Sequence, residues 1–576
     1  MKLFLRYIKP YRISVIILLI FLGGQSACEI MIPTLLATMI NDGVSSGNQY
    51  LIMTIGLQMV LAAVVAILCA IAASYLAART STKLSAGLRE QVFFKVEDFS
   101  LHEVDQIGTS SLITRTTNDI MQIQTFMTFL MRIGVFAPLM TISGIVMAVI
   151  TGRNLALTLL VVVPVMSIAI VLIIAKSSKY FKSMQKKIDA INRVLRENLI
   201  GIKVIRAFKR SGYEIKRFDA VNEDYTQTSI TALQLMSTLV PTVTIIMNLT
   251  TIAIIYLGGK MVYGGTMNVG NLVAYVQYIT QILMSIMMIS MIFIMYPRAA
   301  TSSERIAEVL DMKLAVTNPG KLVKESRVTG TVEFRNVSFN YPNADDPVLK
   351  NISFQANPNE TVAIIGSTGS GKSTIANLIL RFYDVTEGEI LVDGINIKEF
   401  DLHTLRNKIG YVPQKGVLFT GTIAENLRFG RQDASIEEVR HAAEVAQAME
   451  FVQDKENQFD SMISQGGANV SGGQKQRLAI ARALIKKPEI YVFDDSFSAL
   501  DYKTDVTLRK ALKKETVDAT VIIVAQRVST IMDANKIIVL DNGMISDIGT
   551  HKELLNRCRV YQEIVESQFK KGELGA

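Results

Sequence analysis

Cysteine is scarce in this sequence, and this scarcity excludes two ways of holding a fold together. The 576 residues include three cysteines, Cys28, Cys69 and Cys558. Two lie in apolar stretches and one lies near the C-terminus, a pattern that fits neither a disulfide framework nor the spacing of metal ligands. We expect all three to be packing residues. The chain is also too long for a single hydrophobic core, so more than one domain is expected.

Charged residues are rare in six apolar stretches that precede residue 300. Each stretch is long enough for a helix to cross about 30 Å of hydrocarbon. An even number of spans places both chain termini on the same side of a membrane. The sequence therefore predicts an all-α, six-helix transmembrane domain over residues 1–310. The predicted spans are approximately 14–38, 52–78, 130–151, 155–176, 236–258 and 270–296.

Lysine and arginine are scarce in the connections after the first, third and fifth spans, where Arg153 and Lys260 are the only cations. The segments 79–129 and 177–235 are long and rich in both residues, so the positive-inside bias predicts that they are cytoplasmic, together with both termini. Residues 1–300 carry 26 basic and 14 acidic side chains. Because the cations flank apolar spans, attraction to a lipid bilayer explains them better than nucleic-acid binding does. We predict a multi-pass protein of the cell membrane, with no nucleic-acid partner.

The two long basic segments have helical spacing with few glycines or prolines. This pattern indicates membrane helices that continue into the cytoplasm rather than an inserted soluble domain. A turn is predicted at the tip of each pair, at 102–111 and 209–215, where glycines occur. A linker is expected over residues 311–328. Strand and helix patterns then alternate through residues 329–576, which predicts an α/β domain.

The stretch GSTGSGKST, residues 366–374, has the context of a phosphate-binding loop, because it follows the apolar run TVAII and precedes a helical pattern. Its glycines allow backbone N–H groups to close around a phosphate, and the helix N-terminus adds its dipole. Lys372 can reach the β- and γ-phosphate oxygens, and Ser373 can bind Mg²⁺. A P-loop site for a nucleoside triphosphate is therefore predicted in the α/β domain.

A second motif, SGGQKQRLAIARALIKKPEIYVFDD, occupies residues 471–495. Ser471 is suited to cap the helix that follows, and the Ser-Gly-Gly sequence leaves backbone amides open to a phosphate. Further along, the apolar run IYVF carries Asp494 to a predicted strand end, where a carboxylate can hold the Mg²⁺ shell. The motif thus adds a second phosphate contact and a metal ligand to the predicted site.

With these motifs the chain resembles a half-transporter of the ATP-binding cassette (ABC) exporter family over essentially its whole length. The resemblance implies ATP and Mg²⁺ as cofactors, Tyr341 stacked on adenine, and contact of residues 498–501 with the opposite cassette. It also implies that two cassettes pack head to tail, so that each ATP lies between the phosphate loop of one chain and the SGGQ segment of the other. The tips at 102–111 and 209–215 resemble coupling helices.

The residues implied to contact the nucleotide or its metal come from five short segments. They are Tyr341, Gly366, Ser367, Thr368, Gly369, Ser370, Gly371, Lys372, Ser373, Thr374, Gln414, Ser471, Gly472, Gly473, Gln474 and Asp494. Within this set, the resemblance implies that the Mg²⁺ contacts are Ser373, Gln414 and Asp494.

Two residues depart from the family pattern in the catalytic positions. The position after Asp494 normally holds a glutamate that polarises the attacking water, but here it is Asp495, whose side chain is about 1.5 Å shorter. In VIIVAQRVST, residues 521–530, the switch histidine of the family is replaced by Gln526. Glutamine can hydrogen-bond to a phosphate but lacks the proton and charge of an imidazole. Together these changes predict slow or absent hydrolysis at a site that still binds ATP.

The SGGQ segment is intact, and in such a dimer it serves the phosphate loop of the partner. The consistent interpretation is a heterodimer that resembles bacterial heterodimeric multidrug exporters, in which a second, different half-transporter supplies the competent Glu and His. Two alternatives stay open. One is a homodimeric lipid or lipopeptide exporter, and the other, from another class, is an ATP-binding membrane sensor or channel.

The transmembrane domain gives less information about the cargo. Glu29 lies within the first span, where a carboxylate is costly and often functional, although it could also lie near the outer interface or pair with a polar neighbour. Flexible thioethers in the sixth span suit promiscuous surfaces, but they equally fill ordinary packing positions. We predict a small amphipathic substrate, with a cation as one option. The methionines in question are Met284, Met287, Met288, Met291 and Met295.

Overall fold

The structure is a computed structural model, and it describes residues 9–318, 329–342, 344 and 346–568. By its internal contacts the chain divides into two units. The first comprises Met1–Glu97 and Ser110–Met312, and the second comprises Asp98–Thr109 and Lys313–Ala576. Most of the expected linker, residues 319–328, lies outside the described residues.

The first unit is built from long helices, and the described residues contain six helical spans apolar enough to cross a membrane. Their apolar cores extend into polar ends, as the helical spacing of the two basic segments predicted. The predicted six-helix transmembrane fold class is thus confirmed. The helices from the N-terminus onward are α1 (Arg12–Thr38), α2 (Gln49–Glu97), α3 (Leu101–Ile107), α4 (Thr109–Thr114), α5 (Ile120–Thr151), α6 (Leu157–Ile200), α7 (Ile202–Ala207), α8 (Ser211–Ser237), α9 (Leu239–Tyr263) and α10 (Val269–Asp311), with π-helical segments at Met39–Val44 and Arg115–Asp119.

The first predicted tip is the short helix α3, which belongs to the second unit. Its N-terminus is closed by a capping box in which the Ser100 side chain and Glu103 satisfy each other's backbone N–H groups. Gly108 follows the helix with a φ of 83°, a left-handed conformation that favours glycine. The tip is therefore an ordered helical turn rather than an open loop.

The second tip turns at the start of the predicted stretch 209–215. Helix α7 ends in a Schellman motif, in which the N–H of Arg210 bonds to the carbonyl of Ile205 and that of Lys209 to Arg206. Lys209 occupies the left-handed position with a φ of 51°. Gly212 lies within α8 and is not the turn residue, because the two capping hydrogen bonds have already reversed the chain.

The second unit contains a six-stranded sheet in the order β12-β11-β3-β10-β9-β6 and a four-stranded antiparallel sheet in the order β2-β1-β4-β5. A two-stranded ribbon pairs β7 with β8. The strands are β1 (Val332–Phe339), β2 (Leu349–Ala356), β3 (Thr361–Gly366), β4 (Glu387–Val392), β5 (Ile395–Asn396), β6 (Ile409–Val412), β7 (Gly421–Thr422), β8 (Met462–Ile463), β9 (Ile490–Asp494), β10 (Thr520–Val524), β11 (Lys536–Asp541) and β12 (Met544–Gly549).

Helices cover the larger sheet, whose central strands are buried on both faces. Ala363 and Ile365 of β3 lie in one hydrophobic cluster, and Val362 and Ile364 lie in the other. This explains the continuous apolar run of that strand. The helices are α11 (Lys372–Ile379), α12 (Leu402–Asn407), α13 (Ile423–Arg428), α14 (Ile436–Val445), α15 (Met449–Gln453), α16 (Gly472–Ile485), α17 (Tyr502–Glu515), α18 (His551–Arg557) and α19 (Arg559–Gln568).

Three parallel strands end together at one edge of this sheet. Val524 of β10 pairs with Ile364 of β3 on one side and with Asp494 of β9 on the other. The loops that follow these strands therefore start side by side, which is where ligands bind in open α/β sheets. These loops carry the phosphate-loop motif, Asp495 and Gln526.

Candidate functional site

The loop between β3 and α11 holds its shape through glycines at specific positions. Gly369 and Gly371 have φ values of 86° and 93°, which disfavour any residue with a side chain. A Cβ added to Gly366 would lie 2.3 Å from the carbonyl oxygen of Leu540. Gly371 caps α11 without a side-chain hydrogen bond, so the first N–H groups of the helix remain available to an anion.

Lys372 and Ser370 supply the polar side chains of this loop. The Lys372 Nζ atom donates to the carbonyl oxygens of Gly366, at 2.9 Å, and Ser367, at 2.7 Å. Burial lowers the pKa of this ammonium group, while the nearby Asp495 and Asp494 act in the opposite direction. The Ser370 Oγ atom is buried with no hydrogen-bond partner among the described residues. An unpaired hydroxyl beside a buried cation fits a phosphate group, which would take both as donors.

The predicted metal ligands Ser373 and Asp494 are in direct contact. The Ser373 hydroxyl donates to Oδ1 of Asp494 at 2.9 Å, although 121 residues separate them. Burial raises the pKa of Asp494, and the charge of Asp495 adds to this, whereas the hydrogen bond from Ser373 and the charge of Lys372 lower it. A hydroxyl and one carboxylate are the oxygen ligands that Mg²⁺ takes when substrate phosphates and water complete its shell. The two residues therefore fit Mg²⁺ bound together with a nucleotide.

No dedicated metal cage accompanies this pair. Within the described parts of the chain, no group of three or more His, Cys, Asp or Glu side chains could hold a metal ion. This agrees with a cation that depends on the nucleotide for most of its ligands.

The shortened acid Asp495 lies directly after β9 and contacts Gln414. Gln414 donates through Nε2 to Oδ2 of Asp495 at 3.2 Å, so the predicted Mg²⁺-sensing residue and the predicted catalytic acid meet. The backbone of Asp495 has a φ of 45°, a left-handed conformation that Asp tolerates better than most residues. Its N–H donates to the carbonyl of Val524 on β10, which fixes the position of the turn.

Gln526 lies on the loop after β10 with its side chain exposed. Gln568, the last residue of α19, makes two hydrogen bonds to the backbone of this loop. It donates through Nε2 to the Gln526 carbonyl at 2.7 Å and accepts from the N–H of Val528 at 2.8 Å. The sequence reasoning missed Gln568, because no motif marks a residue that acts on a loop 42 positions earlier.

The SGGQ segment forms a helix start as predicted. Ser471 caps α16 in a reciprocal capping box with Gln474. A Cβ on Gly473 would lie 3.3 Å from the carbonyl oxygen of Ala499, so this glycine lies against the 498–501 loop. Gly472 has open space around its Cα. The arrangement leaves a glycine-lined helix N-terminus, as a phosphate contact requires.

A second glutamine on α16 was not singled out from the sequence. Gln476 is buried, donates to the carbonyl of Pro413 at 3.0 Å and accepts from the N–H of Gly416 at 2.9 Å. These bonds close both sides of the loop that carries Gln414. In the sequence, Gln476 lies inside the QKQR run, which is only a weak signal of a structural role, because polar residues are common on exposed helix faces.

Tyr341 lies beside the phosphate loop, with its hydroxyl 3.0 Å from Oγ1 of Thr374. Its ring meets Tyr383 edge to face, with 5.3 Å between centroids. The Tyr383 hydroxyl donates to Oδ2 of Asp105 on α3 at 2.6 Å, and burial together with this contact raises the pKa of Tyr383 well above the ordinary tyrosine value. A polar and aromatic path thus runs from the phosphate loop to the first tip.

Comparison with known proteins places this architecture in a family. Residues 15–287 match the ABC transporter transmembrane region, and residues 349–498 match the family described as ABC transporter. An uncharacterized ABC transporter ATP-binding protein of Mycobacterium tuberculosis is 41% identical over 574 residues, which cover 99% of this chain and 98% of the relative. The chain belongs to the ABC transporter family.

Two further similarities narrow the kind of ABC transporter. A Bacillus subtilis protein described as a putative multidrug export ATP-binding/permease protein is 31% identical over 579 residues, covering 99% of this chain and 98% of that protein. The solved structure of a bacterial Atm1-family ABC exporter with ATP bound aligns with a TM-score of 0.81 at 26% identity, covering 97% of this chain and 98% of the other. The transporter is an ABC exporter half-transporter: a multi-pass membrane protein with an ATP-binding domain, of a kind that dimerises in a lipid bilayer.

Proposed function

We propose that this half-transporter is the degenerate-site subunit of a heterodimeric exporter of small amphipathic compounds, with its long basic connections and both termini in the cytoplasm. Its own site binds ATP and Mg²⁺ through Tyr341, the 366–374 loop and Asp494 but hydrolyses ATP slowly. Its SGGQ segment completes the hydrolytic site of a second, different half-transporter. The observation that carries the proposal is the pair Asp495 and Gln526 beside an otherwise complete nucleotide site.

The contacts of Asp495 support slow hydrolysis. A catalytic acid must lie within hydrogen-bond reach of the attacking water. Here the shorter carboxylate accepts from Gln414 at 3.2 Å and lies on a turn whose N–H is bonded to Val524. These contacts hold the carboxylate about one bond length farther from the attacking water than that of a glutamate. A misplacement near 1 Å can lower the rate of hydrolysis about a hundredfold.

A homodimer of this chain is the second candidate. The observation that favours it is the completeness of the binding elements, because Lys372, Ser373, Asp494 and the capped SGGQ helix would allow two copies to hold two ATP molecules. An ATP-binding membrane sensor or channel would fit the same weak site. The three candidates differ in whether the chain alone hydrolyses ATP and whether a substrate accumulates.

The multidrug type of cargo is supported by one relative and by the helix surfaces. The Bacillus subtilis relative is described as a putative multidrug exporter. On α10, Met284 and Met291 are exposed, and flexible thioethers adapt to varied apolar groups. An amphipathic substrate is therefore the class that we propose.

The test compares ATP hydrolysis by the chain alone, and with a candidate partner, in lipid vesicles. We expect low activity alone and at least about tenfold more with the partner. Changing Asp495→Glu and Gln526→His together should raise the activity of the chain alone by about tenfold to a hundredfold. An exposed control pair, Glu566→Gln with Lys398→Gln, should leave it unchanged.

The outcomes separate the three candidates. Robust hydrolysis by the unmodified chain alone would favour the homodimer. Hydrolysis with no ATP-dependent accumulation of any fluorescent amphipathic compound in inverted vesicles, even with the partner, would favour the sensor or channel. No gain from the double substitution would contradict the degenerate-site assignment.

A further inference from the structure

A single carboxylate interrupts the apolar helix α1. Glu29 is the only charged residue between Arg12 and Asp42. At about 1.5 Å per residue, it lies about 25 Å along the helix from Arg12 and about 20 Å from Asp42. Because the hydrocarbon core is about 30 Å thick and the two flanking charges lie about 45 Å apart, Glu29 lies inside the hydrocarbon in every placement that keeps both of them outside it.

Glu29 has hydrogen-bonded neighbours but no counter-ion in the part of the chain that the structure describes. Its Oε1 atom accepts from Nε2 of Gln25 at 2.8 Å, one helical turn earlier. Gln281 of α10 donates to the Glu29 backbone carbonyl at 3.4 Å, which brings a second amide to the same place. None of the ion pairs among the described residues involves Glu29. A carboxylate at this depth without a cation is energetically unfavourable, and such residues usually have a ligand or a proton as partner.

The neighbouring amide leaves a second acceptor unused. The Oε1 atom of Gln281 is buried and has no hydrogen-bond partner among the described residues. Buried carbonyl oxygens of this kind are normally satisfied. Because Gln281 contacts the backbone of Glu29, the two residues together offer a negative charge and an unsatisfied acceptor. Their chemistry suits a cation that has N–H groups to donate.

An apolar surface continues from Gln281 along α10. At 100° per residue, Gln277 and Gln281 share one face with the methionines that follow. Met284 and Met291 on this face are exposed to 43% and 46%. Two glutamines in one stripe of a membrane helix argue for a face that lines a polar cavity rather than lipid, because amides are costly against hydrocarbon. The surface is thus polar at the end that carries Gln281, and apolar and flexible at the end that carries the methionines.

We propose that Gln25, Glu29 and Gln281 form a binding site for the protonated amine of an amphipathic molecule, and that the methionine face of α10 receives its apolar part. The carboxylate takes the charge, and the Gln281 carbonyl accepts one N–H. The inference rests on the proposed export function and specifies its substrate class as amphipathic amines. Small sites of this composition are typical of ligand recognition, in which a few polar groups orient an otherwise apolar contact.

The test uses a fluorescent amine and its uncharged derivative. Monodansylcadaverine has a primary ammonium group, and its N-acetyl derivative has the same ring and chain with no charge. Both are titrated against the full-length chain in nanodiscs of a neutral phosphatidylcholine, so that lipid charge does not attract the amine. Dansyl fluorescence reports the affinity of each probe, and empty nanodiscs correct for partitioning into lipid.

Glu29→Gln should weaken amine binding by about tenfold to a hundredfold, as expected for loss of a charge-assisted hydrogen bond, and should leave the acetylated probe within about twofold. Gln281→Leu should weaken amine binding by several fold. Gln281→Glu adds a second carboxylate and should strengthen amine binding, an outcome that misfolding would not produce. Asp42→Asn, an exposed acid at the end of the same span, is the matched control and should change neither affinity.

The proposal is overturned if Glu29→Gln leaves amine binding within twofold of the unmodified chain, or weakens both probes equally, as a purely structural role would. Absence of saturable amine binding to the unmodified chain also overturns it. If the transporter with its partner takes up the amine when ATP is supplied, and Glu29→Gln does not change this uptake, the site is rejected but the export function is kept. Glu29-dependent binding without ATP-driven uptake would keep the site and reject the export function.

Discussion

The nucleotide site has two sides that differ in how firmly their side chains are held. On the phosphate side, Lys372 makes two hydrogen bonds to backbone carbonyls, and Ser373 makes one to Asp494. On the hydrolytic side, Asp495 accepts one side-chain hydrogen bond, and the exposed side chain of Gln526 makes none within the described residues. We therefore expect nucleotide binding to depend on a prearranged network, and the predicted hydrolytic positions to tolerate substitution without loss of nucleotide binding.

The largest expected effect is on the phosphate side. Lys372→Ala removes the one ammonium group that, within the described residues, contacts the loop carbonyls of Gly366 and Ser367, and with it the expected main positive charge for the phosphates. We expect the affinity for a fluorescent ATP analogue to fall by at least about a hundredfold. Lys398→Ala, at an exposed lysine outside the site, should leave the affinity unchanged. Equal affinities in the two variants would contradict the assigned site.

Asp494→Asn tests the metal contact. The amide keeps the shape of the side chain and its contact with Ser373, but it is a poorer ligand for a divalent cation. We expect the Mg²⁺-dependent part of nucleotide binding to weaken by about tenfold to a hundredfold. Nucleotide binding in the absence of Mg²⁺ should change little, and a comparable loss there would indicate damage to the loop instead.

The raised pKa of Asp494 gives the same contact a pH dependence. Because burial favours the protonated form, the carboxyl loses its proton at a higher pH than an ordinary aspartate does. Mg²⁺ binds the ionised form, so its affinity should fall as the pH is lowered toward this raised pKa and recover as the pH rises. Mg²⁺ titrations of nucleotide binding between about pH 5 and 8 should show a steeper fall in the unmodified chain than in Asp494→Asn, where only the nucleotide phosphates titrate. Parallel curves would contradict the assignment.

A smaller effect is expected on the hydrolytic side from Gln568→Ala. This change removes both hydrogen bonds from Gln568 to the 526–528 loop. Each is expected to contribute about 1 kcal/mol, so the loop should become more mobile while the fold persists. In the chain that also has Asp495→Glu and Gln526→His, hydrolysis should fall about twofold to tenfold, with ATP affinity unchanged. Glu566→Ala is the control. Glu566 lies on the same helix, and its side chain makes no hydrogen bond to the described residues.

The smallest effect is expected from Tyr383→Phe. This change keeps the aromatic contact with Tyr341 but removes the hydrogen bond to Asp105. We expect ATP affinity to change by less than about threefold, while protection of the α3 backbone amides from hydrogen exchange decreases. Tyr502→Phe, at an exposed tyrosine, should alter neither quantity. Unchanged exchange in Tyr383→Phe would mean that the hydrogen bond does not hold α3.

Much of the fold could be predicted because the signals were local. The apolar spans, the strand before the phosphate loop and the Ser471 cap each depend on a few adjacent residues. The contact between Ser373 and Asp494 was foreseeable even across 121 residues, because both lie in motifs at the carboxyl ends of the two strands that flank β10. The roles of the individual site residues stay predictions, since geometry alone does not measure binding or catalysis.

The remaining features depended on long-range packing. The bonds from Gln568 to the loop after β10 and the bonds from Gln476 to the Gln414 loop join segments with no shared motif. The second tip turns at Lys209, the first residue of the predicted stretch, rather than at its glycine, because a Schellman motif formed there and the lysine adopts a conformation usually given to glycine. No sequence pattern marks a lysine that adopts this conformation. It is recognised only from the hydrogen bonds around it in the structure.

Gln476 has a mechanical consequence for the whole cassette. It uses both its donor and its acceptor on the backbone of one loop, and so links the start of α16 to the segment that holds Gln414. The SGGQ helix start lies at one end of this linked pair of segments. At the other end, Gln414 contacts Asp495. A displacement of the SGGQ helix would therefore reach the acid of this chain through two hydrogen bonds, because Gln476 holds the loop that lies between them.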